Sequence, residues 1–158
     1  GQVLYQGATA TAEEKSYTAG QVGQEFEADG ASDDYAYSTA YEDTAMLFEE
    51  VMMKYHFNAD REVAFSDAPL NDGTYCDDYI VRWGQRNRIG DPYVKARAEI
   101  VVSQILGRSD TFSYFSILPA PRYMVSGADW CTIATSSGIM QKPQRREINK
   151  DDLLPPHH

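Results

Sequence analysis

Several features that would point to a function are missing from this sequence. No run of about 18 apolar residues is present, so no segment reads as a membrane-spanning helix. The HExxH, CxxC, P-loop, GxSxG and GxGxxG motifs are also absent. Lysine is scarce, with five in 158 residues, and the net charge is −10. Because nucleic acids and anionic membrane surfaces are bound by clustered Lys and Arg, the charge excludes them as main partners.

Basic residues are scarcest in the first half of the chain. Residues 1–78 hold 3 basic and 17 acidic residues, and residues 79–158 hold 11 basic and 7 acidic residues. We interpret this asymmetry as two parts of one domain that attract each other, with an acidic, cation-binding face as the alternative. The length and the apolar fraction of 42 % suit one domain with a real core.

Cysteine is limited to Cys76 and Cys131, and their spacing alone leaves open whether they form a disulfide. The few lysines, the 11 tyrosines and the abundant small polar residues are typical of proteins outside the cytoplasm. We therefore predict an extracytoplasmic protein, periplasmic, secreted or lipid-anchored, in which a disulfide would persist.

The segment 39–56 has the strongest helix signals. Thr39 and Glu42 fit a capping box, and Asp43 also lies in the first turn, where the helix dipole favours acids. One arc of this helix is apolar; the other holds acids, one lysine and two methionines, namely Glu42, Asp43, Met46, Glu49, Glu50, Met53 and Lys54. Because a solvated face needs no methionine, we expect this acidic arc to be partly covered, and protein outside this chain is one candidate for what covers it.

A second helix is predicted over 91–106. Asp91 is its N-cap, Pro92 occupies the first helical position, and Gly107 ends it. Its expected core stripe comprises Val94, Ala98, Val101, Val102 and Ile105. With these two helices, we predict a mainly α fold with minor β, forming a single compact domain with long loops.

The rest of the chain has weaker signals. We predict an irregular segment over 1–35, a mainly helical domain over 36–141 and an extended polar tail over 142–158, whose final His157 and His158 resemble the remainder of a tag. Inside these regions the pattern predicts a strand at 1–7, a loop at 58–75, and short strands near 123–126 and 131–135. A short helix near Ala19–Phe26, and the choice between helix and strand near 77–83, stay open.

The opening of the first helix resembles a motif of zinc-dependent metallopeptidases of the zincin class, of gluzincin type. In that class a helix downstream of HExxH often opens with Ser-x-x-x-Glu-Asp/Glu-x-Ala, which is matched here by Ser38, Glu42, Asp43 and Ala45. The run from 77 to 106 is similar to the tail of bacterial extracytoplasmic proteins of that class. The fold this implies is a zincin-like C-terminal subdomain.

The resemblance implies roles for four residues. Glu42 would be the third zinc ligand, Asp43 a supporting acid, and Tyr35 or Tyr37 the group that stabilises the reaction oxyanion. A set of two His and one Glu with a bound water is a standard catalytic zinc site. Taken without the resemblance, the two acids read simply as complements of the helix dipole, which contribute about 0.3–1 kcal/mol each.

The missing HExxH motif makes the chain depart from this family pattern. The three histidines are His56 and the terminal pair, which do not rebuild two zinc ligands at helical spacing. We therefore expect the chain to be the C-terminal part of a longer enzyme. Zinc would bind in the full-length parent, whose other part carries HExxH and whose substrate is a peptide or protein. Alone, the chain is expected to be inactive and to hold no zinc.

Two other function classes stay open. The first is a non-catalytic extracytoplasmic binding module that uses its acidic face, although no EF-hand spacing supports calcium. The second is a glycosidase with paired carboxylates, but among 24 acids no pair stands out.

Overall fold

Helices outnumber strands in this protein. The computed structural model describes residues 11–69, 71–108 and 111–136. Over these residues the elements are α1 Ala19–Ala28, α2 Ala40–Phe57, β1 Glu62–Ser66, β2 Val81–Arg86, α3 Pro92–Leu106, α4 Phe112–Ser116, β3 Arg122–Tyr123 and α5 Trp130–Ser136. The predicted class, mainly α with minor β in a single compact domain, is confirmed. Within these ranges, every helix is too short or too polar to cross a bilayer.

The two long helices begin and end where local signals predicted. Thr39 accepts a hydrogen bond from the Glu42 N–H at the start of α2. Asp91 accepts from the N–H groups of Tyr93 and Val94 at the start of α3. Gly107 follows α3 with φ of 61°, a left-handed conformation that glycine adopts without strain. Both predicted helices are therefore confirmed.

Helices α2 and α3 pack against each other to form the largest core. Its buried members are Leu47, Val51, Ile89, Val94, Ala98, Val102, Phe115 and Leu118. The prediction that Ile105 belongs to this stripe is wrong, because its side chain is 51 % exposed. The stripe continues in steps of four from Val102 to Leu106, which packs against the core instead.

Two further cores lie on opposite faces of a three-stranded antiparallel sheet with the order β1-β2-β3. On one face, Phe26 of α1 packs at 5.3 Å from Phe65 and at 5.5 Å from Trp83, between ring centroids. On the other face, Val81 and Met124 pack with Ile133 of α5. The sheet is thus covered by a helix on each side.

A β-bulge explains why β1 and β2 were hard to predict. Phe65 pairs with Trp83 and Ser66 with Val81, so one β2 residue, Arg82, is skipped. Trp83 and Val81 consequently lie in different cores although they are two positions apart. The predicted loop over 58–75 is wrong at Glu62–Ser66, and the choice left open near 77–83 resolves into a short 3-10 helix at Cys76–Asp78 followed by β2.

The strand predicted near 131–135 is wrong, because Trp130–Ser136 is helix α5. The Asp129 carboxylate accepts hydrogen bonds from the Thr132 N–H at 2.8 Å and from its hydroxyl at 2.7 Å, which starts the helix. A disulfide joins Cys131 at the start of α5 to Cys76, which settles the pairing that the sequence left open. The other predicted strand, 123–126, overlaps β3 only at Tyr123.

The segment predicted as irregular over 1–35 contains α1. A reciprocal capping box between Thr18 and Gln21 starts this helix, and the absence of a side chain at Gly23 lets Trp83 pack directly on it. Gly23, one of the two glycines that weaken the helix signal in this segment, is therefore needed for the packing. The predicted strand at 1–7 and the predicted tail at 142–158 lie outside the described residues.

We expect Gly23→Ala to destabilise the fold by about 1–3 kcal/mol through overpacking. A Cβ at position 23 would lie 2.3 Å from the Trp83 Cβ, too close for α1 to stay in place. Urea unfolding followed by circular dichroism measures the change. Gly20→Ala is the matched control, because its Cβ would lie at an ordinary 3.7 Å from the Arg82 Cβ and should be neutral or mildly stabilising. Equal stability of the two variants would contradict this packing argument.

Candidate functional site

The first turn of α2 presents the predicted metal ligand, Glu42. The Thr39 hydroxyl accepts a hydrogen bond from the Glu42 N–H at 3.2 Å. The return bond, from the Thr39 N–H to the Glu42 carboxylate, is not formed, so only half of the predicted capping box is present. The Glu42 side chain is exposed and makes no hydrogen bond or ion pair with another described residue. Its carboxylate is therefore free, at a helix end whose dipole favours negative charge.

The neighbouring acid, Asp43, is engaged. Both of its carboxylate oxygens accept from Nη2 of Arg97 of α3 in an ion pair. Arg97 also donates to the Gly30 carbonyl at 2.6 Å, in the loop that follows α1. Asp43 thus fixes the start of α2 to two other parts of the fold, while Glu42 beside it stays unpaired.

The two candidate tyrosines lie in a 3-10 helix, Asp34–Tyr37, directly before α2. Tyr35 is 46 % exposed, and its backbone N–H donates to Asp33 at 2.8 Å. Tyr37 is half-buried, and its hydroxyl donates to Asp29 at 2.9 Å. Burial, followed by this hydrogen bond, raises the pKa of Tyr37 above its usual value. Of the two tyrosines, Tyr35 is the more exposed to solvent.

The described residues alone do not enclose Glu42 or complete a metal site. Tyr41 beside it is 89 % exposed, and no group of three or more His, Cys, Asp or Glu side chains with metal-binding spacing occurs in the described ranges. His56 lies in the last turn of α2, about 21 Å from Glu42 at 1.5 Å per residue. Its ring contacts that of Tyr55 at a centroid distance of 5.0 Å, so it is a packing residue at the helix end.

The acidic arc of α2 is partly covered, as expected, but by this chain itself. The Met46 sulfur is 3.6 Å from Arg61 Nη1, and Glu50 is only 3 % exposed. The suggestion that protein outside this chain covers these two positions is therefore wrong. Met53, which is 43 % exposed, is the methionine that remains open to solvent.

Sequence reasoning missed a charged cluster behind α2, made of Asp33, Glu50, Arg61 and Arg88. Asp33 pairs with Arg61, and one oxygen of Glu50 accepts from the Ile89 N–H at 3.3 Å. The other Glu50 oxygen is buried without a hydrogen-bond partner. Burial raises the pKa of Glu50 to about 7, against the opposing effects of that N–H and of the two arginines.

Arg88 links this cluster to the aromatic core. Its guanidinium is 4.7 Å from the centroid of the Phe26 ring, and Nε donates to the Ala31 carbonyl at 2.7 Å. A second guanidinium nitrogen, Nη1, donates a hydrogen bond to the side-chain oxygen of Gln85 at 2.5 Å. Glu50 follows Leu47 by three positions and precedes Val51, so its place among core residues was the signal that could have revealed it.

Comparisons with protein-family models, with characterised proteins and with solved structures found no match to this chain. The candidate site therefore depends on its own geometry: a free carboxylate at the start of a helix, an adjacent acid held by arginine, and an exposed tyrosine in the 3-10 helix that precedes it.

Proposed function

We propose that this chain is part of an extracytoplasmic zinc metallopeptidase, in which Glu42 is the carboxylate ligand of the metal. The free carboxylate of Glu42 carries this proposal. A carboxylate that made the return bond of the capping box would be committed to its own helix, whereas that of Glu42 is not. It suits one position of a zinc ligand set, and the two histidines of that set would come from the parent's HExxH segment.

The division between Glu42 and Asp43 supports the same proposal. Because ligand side chains work best when their backbone is held still, a supporting acid beside the ligand should be fully engaged. Asp43 meets this requirement through its ion pair with Arg97 and the further bond from Arg97 to Gly30. Asp43 is thus a positioning residue for the turn that carries Glu42.

Tyr35 is the better candidate for the group that contacts the substrate. Its side chain is accessible, whereas the Tyr37 hydroxyl is committed to Asp29. A phenol in this place would donate a hydrogen bond to an oxygen of the substrate as negative charge develops there. The bound zinc would supply Lewis-acid polarisation and a bound water of lowered pKa. The substrate class is a peptide or protein.

The disulfide supports the proposed location outside the cytoplasm. Structural disulfides form and persist in oxidising compartments, and Cys76–Cys131 ties two elements of the folded domain together. The acidic net charge is compatible with this location and with a protein or peptide substrate.

We expect Glu42→Ala in the full-length parent to lower zinc affinity at least tenfold and to reduce peptidase activity with it. The loss follows because one of three protein ligands is removed while the helix keeps its Thr39 cap. Metal content after dialysis against graded chelator measures the affinity, and cleavage of a mixed peptide library measures the activity.

Glu49→Ala is the matched control, because Glu49 is an exposed acid two turns further along the same helix. It should leave zinc binding unchanged. Full zinc binding by the Glu42→Ala protein, or a parent gene without HExxH, would overturn the proposal and leave the non-catalytic acidic binding module as the better interpretation.

A further inference from the structure

Within the part of the chain that the structure describes, the outer edge of β1 has an open row of backbone hydrogen-bonding groups. β1 is the first strand of the sheet and pairs only with β2 among the described residues. The Arg61 carbonyl accepts from Asn87 and the Asp67 N–H donates to Ile80, so positions 61, 63, 65 and 67 point toward β2. By the alternation of a strand, the N–H and C=O groups of Glu62, Ala64 and Ser66 point away from the sheet.

We propose that a second copy of this chain pairs with this edge, antiparallel, about a two-fold axis at Ala64. In this register the two Ala64 residues exchange two hydrogen bonds. Glu62 exchanges two more with Ser66 of the partner subunit, and Ser66 two with Glu62 of the partner subunit. All six outward groups of each strand are then satisfied, and the two three-stranded sheets become one of six strands.

The side chains of β1 are complementary to themselves in this register. Val63 lies opposite Phe65 of the partner subunit, and both belong to the half-buried apolar face that packs on α1. The small Ala64 side chains meet at the axis without crowding. Each acidic Glu62 faces a neutral serine. Arg61, which pairs with Asp33 in its own subunit, lies opposite Asp67 of the partner subunit, which pairs there with its own arginine, so like charges do not oppose each other.

This charge pattern is why we favour a second copy over an unrelated peptide. A strand of arbitrary sequence could use the backbone groups equally well, but only self-pairing matches an apolar pair, a small central residue and opposite charges at the ends at once. The edge is also weakly protected, since Glu62 is the only charged side chain within β1.

The test is a matched pair of substitutions at one position. Ser66→Glu places an acid opposite Glu62 of the partner subunit, and Ser66→Lys places a base there. With two such contacts per dimer, the dissociation constant should rise with Glu and fall with Lys, each by about twofold to thirtyfold. Sedimentation velocity from about 1 µM to about 1 mM measures the constants. Thermal unfolding by circular dichroism confirms that both variants are folded.

Amide hydrogen exchange gives a second readout at the same concentrations. The N–H groups of Glu62, Ala64 and Ser66 should become protected as the dimer forms, whereas those of Val63 and Phe65, already bonded to β2, should not change. A wild-type chain that stays monomeric up to about 1 mM would overturn the proposal. So would a dimer whose constant moves the same way in both variants, or an edge that captures an extended peptide without self-association.

Discussion

Replacing both cysteines, Cys76→Ser with Cys131→Ser, is expected to lower the free energy of unfolding by about 4 kcal/mol. The disulfide closes a loop with a sequence separation of 55 residues, and removing it returns that loop-closure entropy to the unfolded chain. The loss should be visible as a lower urea midpoint with a somewhat steeper slope, because the unfolded chain without the bridge exposes more surface.

The short helix α5 gives a second reason to expect a loss of stability when the disulfide is removed. Cys131 lies in the first turn of α5, which is only seven residues long and contributes the buried Ile133 to the core beneath the sheet. An isolated helix of this length has little stability of its own, so its attachment depends on the bridge and on that contact.

Unfolding measured under reducing conditions is the control for this prediction. Wild-type protein measured with excess dithiothreitol should unfold like the double serine variant, and the variant should not respond to reductant at all. Stability of the oxidised wild type within about 1 kcal/mol of the variant would show that the bridge does not constrain the unfolded chain as argued.

The second large effect concerns Glu50. We expect Glu50→Gln to make the protein more stable than wild type by about 3 kcal/mol at pH 8, and to make little difference at pH 4.5 or below. The pKa of the Glu50 carboxyl is raised by burial from its usual 4.5 to about 7 in the folded protein. At 1.36 kcal/mol for each pH unit between those values, ionising Glu50 in the folded state costs about 3 kcal/mol.

The sign of the pH dependence of stability follows from proton binding by Glu50. Between pH 4.5 and 7 the folded protein holds the Glu50 proton more tightly than the unfolded chain does. The contribution of this group to the stability of the fold is therefore fully present below pH 4.5 and is lost as the pH rises through 7. Arg61, Arg88 and Asp33 also face Glu50, and their effects on its charge are already contained in the raised pKa. The glutamine oxygen can still accept from the Ile89 N–H.

Urea unfolding at half-unit steps from pH 4 to pH 8.5 measures the difference. Glu49→Gln is the control, because that neighbouring carboxylate is exposed and should change stability by less than about 0.5 kcal/mol at any pH. Parallel curves for wild type and Glu50→Gln would mean that the buried carboxyl titrates normally, and the prediction would fail.

How far the sequence predicted the fold depended on how local each signal was. The ends of α2 and α3 are set by residues that touch their own helix, namely Thr39, Asp91 and Gly107, so they were correctly predicted. α5 was mistaken for a strand because its β-branched composition outweighed the short capping contact from Asp129, and because the disulfide that anchors it is a long-range feature.

The sheet and the charged cluster could not be predicted from local sequence patterns, because both depend on contacts between residues far apart in the chain. β2 places Val81 and Trp83 on opposite faces through a bulge, so its sequence lacks the alternation by which strands are recognised. Helical periodicity assigned Glu50 to the acidic arc of α2, whereas its burial depends on residues remote in sequence, such as Ile89, 39 positions away, whose N–H donates to it. The resemblance singled out Glu42 and Asp43, but only the coordinates distinguish the free acid from the paired one.

The contact between α1 and the sheet makes Trp83 a built-in optical reporter. Its indole is 7 % exposed, rests on Gly23 and donates from Nε1 to Glu27 of α1 at 3.0 Å. Detachment of α1 would expose the ring and remove that acceptor, which shifts indole emission to longer wavelength. In a Trp130→Phe variant, which leaves Trp83 as the single tryptophan of the sequence, indole fluorescence therefore follows the docking of the first helix separately from the melting of α2 and α3, which far-ultraviolet signals report.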